Sequence, residues 1–258
     1  MSAPGIAIGQ AVVVLPKLDF SSIELQKDED VSTQRKLFTQ ALAATRNEFN
    51  TLSMTLIDSI PKEPLAVFDV YQQLLDAKSL GQNVEAQLQQ GWSAKSALKI
   101  VIEKLVAQFN AMQDPYIKER AVDVKDIGLR VLHHLVNTEY AAKPYPQDTI
   151  LIASTLTPAM LAEVPKGHLA GVVSVNGAAN SHASILTRAM GIPAIWGIED
   201  LPLLQFDGKP MILDAYAGRL YISPSQSLHD KYSQLKYQEA LLNDRFLAEQ
   251  DLEAITLD

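Results

Sequence analysis

A single histidine, His182, follows the small-residue stretch Gly177-Ala178-Ala179-Asn180-Ser181 and precedes Ala183-Ser184-Ile185-Leu186-Thr187-Arg188. Upstream, Leu169–Val175 is an apolar, strand-like run. Gly177, Ala178 and Ala179 let a backbone turn tightly and approach a ligand closely. Asn180 or Ser181 is placed to cap a short helix whose Ile185, Leu186 and Ala189 face inward. The first turn of such a helix offers unpaired N–H groups and a partial positive charge, both favourable to phosphate. A histidine there can act as a nucleophile, its phosphorylated form held by Ser181 and the N–H groups of Ala183 and Ser184. The same residues also describe an ordinary capped helix start with a half-exposed imidazole. Both readings stay open on spacing alone.

The elements that must position His182 change character along the chain. Ile6–Leu15 reads as a strand closed by Pro16. From about residue 32 to 137 the pattern is helical. Phe38, Leu42, Thr45, Phe49, Leu52 and Leu56 recur at steps of four and three, a coiled-coil-like seam. Pro61 to Pro64 breaks that helix, and Ala66-Val67-Phe68 begins the next. Gly91 stops a helix, and Ser93 caps one carrying Leu98, Val101, Leu105 and Phe109 on one side. Asp114-Pro115 opens another, through Ile117, Val124, Ile127 and Leu135.

Beyond Pro144, Thr149–Ala153, Val172–Val175, Met211–Ala215 and Arg219–Ile222 read as strands, with a tight turn at Tyr216-Ala217-Gly218. A polar helix with sparse apolar positions at Leu228, Tyr232, Leu235 and Leu242 closes the chain. A lone N-terminal strand needs a sheet, so it is expected to join the later strands, with the helices as an insertion.

Composition bounds the function. The chain has 258 residues, a net charge of −8 and no cysteine. The acidity argues against nucleic acid or an anionic membrane as partner and suits a basic protein. Without cysteine there is no disulfide, thiolate ligand or cysteine nucleophile. No apolar run approaches the ~20 residues of a membrane span. The N-terminus lacks the layout of a signal peptide, so a cytoplasmic location is expected. His133 and His134 are adjacent on a helix and point to different faces, while His168 and His229 are expected at the surface. With no HExxH, Walker loop or GxGxxG, neither metal nor nucleotide is expected in this chain.

The run Gly177–Arg188, continued by Ala189-Met190-Gly191-Ile192-Pro193-Ala194-Ile195-Trp196-Gly197, resembles the phosphohistidine signature of phosphoenolpyruvate-utilising enzymes. These include enzyme I of the bacterial sugar phosphotransferase system, pyruvate phosphate dikinase and phosphoenolpyruvate synthase. The family pattern is roughly Gly-Gly-x-x-Ser-His-x-x-Ile-x-x-Arg followed by Gly-Ile-Pro-Ala, and Ala178 replaces its second glycine. Ser2–Gly9 resembles the opening motif of enzyme I, and Tyr116–Gly128 resembles its helical-subdomain signature. Glu253–Asp258 is similar to the start of its C-terminal barrel. The wording around His182 is closer to the nitrogen-branch enzyme I than to the sugar-branch one.

This resemblance implies an α/β plus all-α fold. Residues 1–20 and 143–225 would form a phosphohistidine swivelling α/β domain. An inserted helical-hairpin bundle, 21–142, would bind the carrier protein. Residues 226–258 would form a linker helix towards a C-terminal barrel outside the chain.

The resemblance further implies that His182 takes a phosphoryl group on Nε2 from phosphoenolpyruvate on that barrel. It would pass the group to a histidine of a small carrier, HPr or its nitrogen-branch counterpart NPr. Mg²⁺ and dimerisation would belong to the barrel, leaving the fragment monomeric and inert to phosphoenolpyruvate. Arg188 matches the family arginine, yet six residues place it about 240° around the helix from His182, so an ion pair is the alternative to phosphate contact. Leu156-Thr157-Pro158 resembles the loop beside the histidine. Thr157 is therefore the candidate to orient the ring, with Thr155 or a backbone carbonyl as alternatives, since Leu161 stands at the sugar-branch threonine position.

Tyr71, Leu74 and Leu80 fall where the family docks its carrier, with Tyr71 and Gln73 in place of the sugar-branch histidine and methionine. Arg120, Asp123, Lys125 and Asp126 match the signature that meets the carrier or steadies the site. The alternative for these four is a solvated charge face. Two other functions are carried along: the swivelling domain of a dikinase-like enzyme, and a non-catalytic helical docking module.

Overall fold

The computed structural model describes residues 3–250 except 16–17, 58, 138–143, 178–180 and 199–201. Six strands form one sheet: β1 (Ile6–Val14), β2 (Thr149–Thr155), β3 (Leu169–Asn176), β4 (Ala194–Trp196), β5 (Pro210–Asp214) and β6 (Arg219–Ile222). Their order is β4-β3-β2-β1-β5-β6. β1 runs parallel to β2, with Val12 opposite Leu151, and antiparallel to β5, with Ile8 opposite Ile212. The N-terminal strand thus lies inside the sheet that the later strands complete. Central strands are covered on both faces, which is why β2 and β3 read as unbroken apolar runs. β4, unforeseen in the sequence, is a three-residue edge strand after Pro193, too short to show a period.

Helices α1 (Val31–Leu56), α2 (Lys62–Leu74), α3 (Gln82–Gln89), α4 (Ala94–Asn110), α5 (Pro115–Lys118) and α6 (Arg120–Leu135) come between β1 and β2. Asp30 caps α1 by accepting the Thr33 N–H at 3.0 Å, and all six seam residues of α1 are buried. α2 starts at Lys62, four residues before the expected Ala66. Pro64 fits because the first turn of a helix needs no N–H partner there. Ser93 caps α4 as anticipated. The single helix expected from Pro115 is instead two, α5 and α6, separated by a turn at Glu119.

Two short helices return to the sheet: α7 (Pro158–Glu163) after β2 and α8 (His182–Ala189) after β3. The long α9 (Gln226–Gln250) lies outside, tied by the Tyr232 hydroxyl donating to Asp214 at 2.9 Å. Its Leu235, Tyr237, Leu241 and Leu242 remain exposed, in keeping with a helix that packs lightly. No helix among the described residues is long and apolar enough to cross a membrane. The expected elements at 251–258, including Glu253–Asp258, lie outside the described residues.

One apolar cluster fills the helical bundle and continues without a break onto one sheet face, from Phe49, Tyr71 and Leu98 to Leu151, Val172 and Leu186. A smaller one covers the other face, where Phe206 closes over Val13, Ile152 and Leu213. Asp19 joins the chain after β1 to the bundle. It accepts the Ser21 N–H and pairs with Lys125 of α6 at 2.9 Å. The Ser21 backbone, then the Lys125 ammonium, lower its carboxyl to about 2.

Two outcomes follow from this packing. A Cβ at Gly9 would fall 1.7 Å from the Asp148 carbonyl oxygen, so Gly9→Ala should cost about 1–3 kcal/mol in urea unfolding. Because the folded-state pKa of Asp19 is depressed, its stabilisation is present above its ordinary pKa of 3.8 and lost as pH falls towards 2. The melting-temperature gap between the parent and Asp19→Asn should therefore be full at pH 6 and close as pH approaches 2.

Candidate active site

His182 is the first residue of α8, and Ser181 is its cap. Ser181 has extended backbone, and its Oγ accepts the Ser184 N–H at 3.2 Å. In return Ser184 Oγ donates to the Ser181 carbonyl at 3.0 Å. β3 delivers the chain to this point through Gly177, whose φ of 118° suits glycine alone. Asn180, Ala178 and Ala179, the remainder of the expected turn, lie outside the described residues.

The partner of the histidine comes from the helical bundle. His182 Nδ1 lies 2.9 Å from Asp123 Oδ2 on α6, and Asp123 Oδ1 accepts the Tyr71 hydroxyl of α2 at 2.7 Å. An ionised carboxylate can only accept, so Nδ1 carries the hydrogen and Nε2 keeps its lone pair. The imidazole is 15% exposed and the carboxylate 5%, which shields their contact from competing water. A cavity of about 110 Å³ opens beside the ring, bounded by Glu119 in the turn before α6, by Val122 of α6 and by Thr155 and Asn176 at the strand ends. It is well below the size of a drug-like ligand pocket, roughly 300 Å³ upward, and is adequate for a phosphoryl group.

Two turns beyond Asp123 on α6, Arg130 is fully buried. Its guanidinium pairs with Glu48 of α1, reaches Glu163 of α7 at 2.6 Å, and approaches Asp126 at 3.5 Å. The other Glu48 oxygen meets His134 Nε2 at 2.9 Å, and the Phe49 ring lies 5.5 Å from the guanidinium. Burial raises both Asp126 and Glu163 above the usual carboxylate range, against the lowering pull of Arg130. Three acids around one guanidinium bind α6 to both α1 and α7. Since α6 also carries Asp123, this cluster sets where the carboxylate meets His182.

Several expected roles change. Asp123, not Thr157, occupies Nδ1 of the histidine. Thr157 caps α7 by accepting the Met160 N–H at 3.4 Å and gives its hydroxyl hydrogen bond to Asp126. Tyr71 and Leu80 were expected at a docking surface, yet both are buried: α2 turns Tyr71 onto α1 and α6, and Leu80, between α2 and α3, faces Ile102 of α4 and Ile127 of α6. Leu74 is half-buried. The Ser184 N–H is taken by the Ser181 cap, so it is not open to a phosphate in this state. Ala183 is buried. Arg188 is exposed and its guanidinium lies 3.5 Å from Ser184 Oγ. Arg120, half-buried, opens α6. Glu48, Arg130 and Glu163 were missed. Only the i,i+4 spacing of Asp126 and Arg130 hinted at them.

Residues 1–120 match the N-terminal model of PEP-utilising enzymes, and residues 145–218 match the mobile-domain model of the same enzymes. The phosphoenolpyruvate-dependent phosphotransferase system protein of Escherichia coli strain K12 is 37% identical over 253 residues. That match takes in 97% of this chain and 33% of the relative, so the chain spans about a third of its length. A solved N-terminal domain of nitrogen enzyme 1 is 36% identical, with a TM-score of 0.60 over 90% of this chain and 95% of that one. A solution structure of an enzyme I protein is 27% identical, with a TM-score of 0.75 over 93% and 98%.

Removing the guanidinium leaves buried carboxylates without their counter-charge. Arg130→Met should destabilise the fold by about 3–5 kcal/mol, read from the shift of the urea midpoint at neutral pH.

Proposed function

Because this chain belongs to the PEP-utilising enzymes, in the part represented by the N-terminal domain of enzyme I, we propose that His182 is its phosphoryl-carrying residue. The observation that carries this reading is the 2.9 Å contact between Nδ1 and Asp123, which leaves Nε2 as the nucleophile at a capped helix start. In the full-length protein, Nε2 attacks the phosphorus of phosphoenolpyruvate. The N–P bond forms, the bond to the enolate oxygen breaks, and the enolate takes up a proton to give pyruvate. Positive charge grows on the ring as the N–P bond forms, and Asp123 stabilises it through the Nδ1 hydrogen. A histidine nitrogen of a small phosphocarrier then attacks the same phosphorus and His182 leaves as neutral imidazole. Transfer between two nitrogens needs positioning and charge stabilisation more than covalent help.

The carrier is a basic, HPr-like protein suited to a chain of net charge −8. The higher identity to the nitrogen enzyme 1 domain supports the NPr-type carrier. With Tyr71 and Leu80 buried, docking falls to the rim of the His182 cavity, where Val122 is exposed beside Arg120. Mg²⁺ and phosphoenolpyruvate are assigned to the C-terminal barrel of the longer protein. Among the described residues no three His, Asp or Glu side chains are grouped to hold a metal ion.

The test is phosphoryl transfer from phosphorylated HPr and phosphorylated NPr to this chain, read as intact mass at alkaline pH, where a phosphoramidate survives. One acid-labile phosphate is expected on the parent and none on His182→Ala, which should keep the parent's circular dichroism and melting temperature to within a few degrees. The faster donor identifies the branch. Uptake that persists in His182→Ala, or absence of uptake by the parent from both donors, overturns the assignment.

A further inference from the structure

We infer that Tyr71 is a positioning residue for His182. Its buried hydroxyl holds the Asp123 carboxylate in the rotation that presents Oδ2 to Nδ1, and so keeps the ring in the tautomer whose lone pair is on Nε2. The inference rests on the phosphohistidine reading above and adds a residue from a third element to it. A carboxylate turns easily about its last torsion, which is broad and roughly two-fold. Here each oxygen has its own donor: Tyr71 at 2.7 Å on Oδ1 and His182 at 2.9 Å on Oδ2.

The tyrosine is itself fixed. Its ring lies edge-on to Phe49, with centroids 5.1 Å apart, and to Phe68 at 5.8 Å, and no part of it reaches solvent. Burial, then the charges of Asp123 and Asp126, hold its phenol well above the ordinary range, so it stays a donor at any physiological pH. For packing between Phe49 and Phe68 alone, phenylalanine would serve. The hydroxyl adds a polar atom that must be desolvated, and it is satisfied by the Asp123 carboxylate, which also contacts His182. The relay Tyr71–Asp123–His182 runs from α2 through α6 to α8, and so carries the order of the bundle core into the imidazole.

In Tyr71→Phe, Asp123 loses a donor and gains freedom to turn. Its hold on Nδ1 loosens, and the ring samples the tautomer with hydrogen on Nε2, which lacks a lone pair for phosphorus.

The experiment combines two readouts on the 258-residue chain. The ¹⁵N shifts of the His182 imidazole, at a pH where the ring is neutral, report the tautomer. Uptake from the phosphorylated carrier, at varied carrier concentration, separates turnover from docking. Tyr71→Phe should draw the two ring ¹⁵N shifts towards each other and slow uptake about tenfold, with the half-saturating carrier concentration unchanged. In an Asp123→Asn background, where the tautomer is already scrambled, the same change should alter uptake less than twofold. Unchanged ¹⁵N shifts in Tyr71→Phe overturn the inference. A raised half-saturating concentration with unaltered shifts would make Tyr71 a docking residue instead. Were the parent to take up no phosphate, the function proposed for His182 would fall, while the ¹⁵N pattern would still decide the role of Tyr71.

Discussion

The burial of Arg130 is the constraint on which the arrangement depends. A guanidinium with no solvent contact is stable only where acids surround it, and those acids come from α1, α6 and α7. Their directions leave little freedom for α6 to slide or rotate, and two turns from Arg130 α6 presents Asp123 to His182. His182 itself makes modest demands: a capped helix start, a glycine at the end of β3, and an acceptor for Nδ1. The acceptor is supplied by a helix far from it in sequence. The site is therefore assembled by tertiary packing rather than by the local motif around His182.

That division explains what could be read before any coordinates. Features whose cause is local were legible. The α1 seam, the Ser93 cap and the Ser181 cap each rest on neighbours within a turn or so along the chain. The role of Asp123 was half legible. The helical signature singled it out, but nothing in its spacing says whether it faces solvent, a carrier or a histidine. Tyr71 shows the limit most clearly. An aromatic next to leucines suits an exposed docking centre as well as a core, and only the orientation of α2 against α1 and α6 decides between them. Thr157 was placed in the right loop with the wrong partner, because a threonine ahead of Pro158 caps a helix as readily as it orients a ring.

The hydrophobic core also blurs a boundary that the pattern of elements suggests. Helices and strands alternate in blocks, which reads as two units. Yet one apolar cluster passes from Phe49 and Leu98 in the bundle to Leu151 and Leu186 on the sheet side. Burial of this kind favours a fixed relation between the parts, since separating them would return large apolar faces to water. The polar contacts at the same junction, from Glu163 to Arg130 and from His182 to Asp123, then act on surfaces already held together. They supply direction where the apolar contacts supply adhesion.

The place of β1 in the middle of the sheet also bears on how a nascent chain acquires this fold. β1 leaves the ribosome before the other five strands, and its neighbours β2 and β5 are synthesised only after all of α1–α6. Until then its edges have no partners. The helices, dominated by contacts close in sequence, can form meanwhile, and in doing so they bring the two ends of the insertion together and shorten the loop that β1 and β2 must close. The order of synthesis thus makes the bundle a scaffold for the sheet, and helix α8 with His182, which follows β3, is among the last parts to find its place.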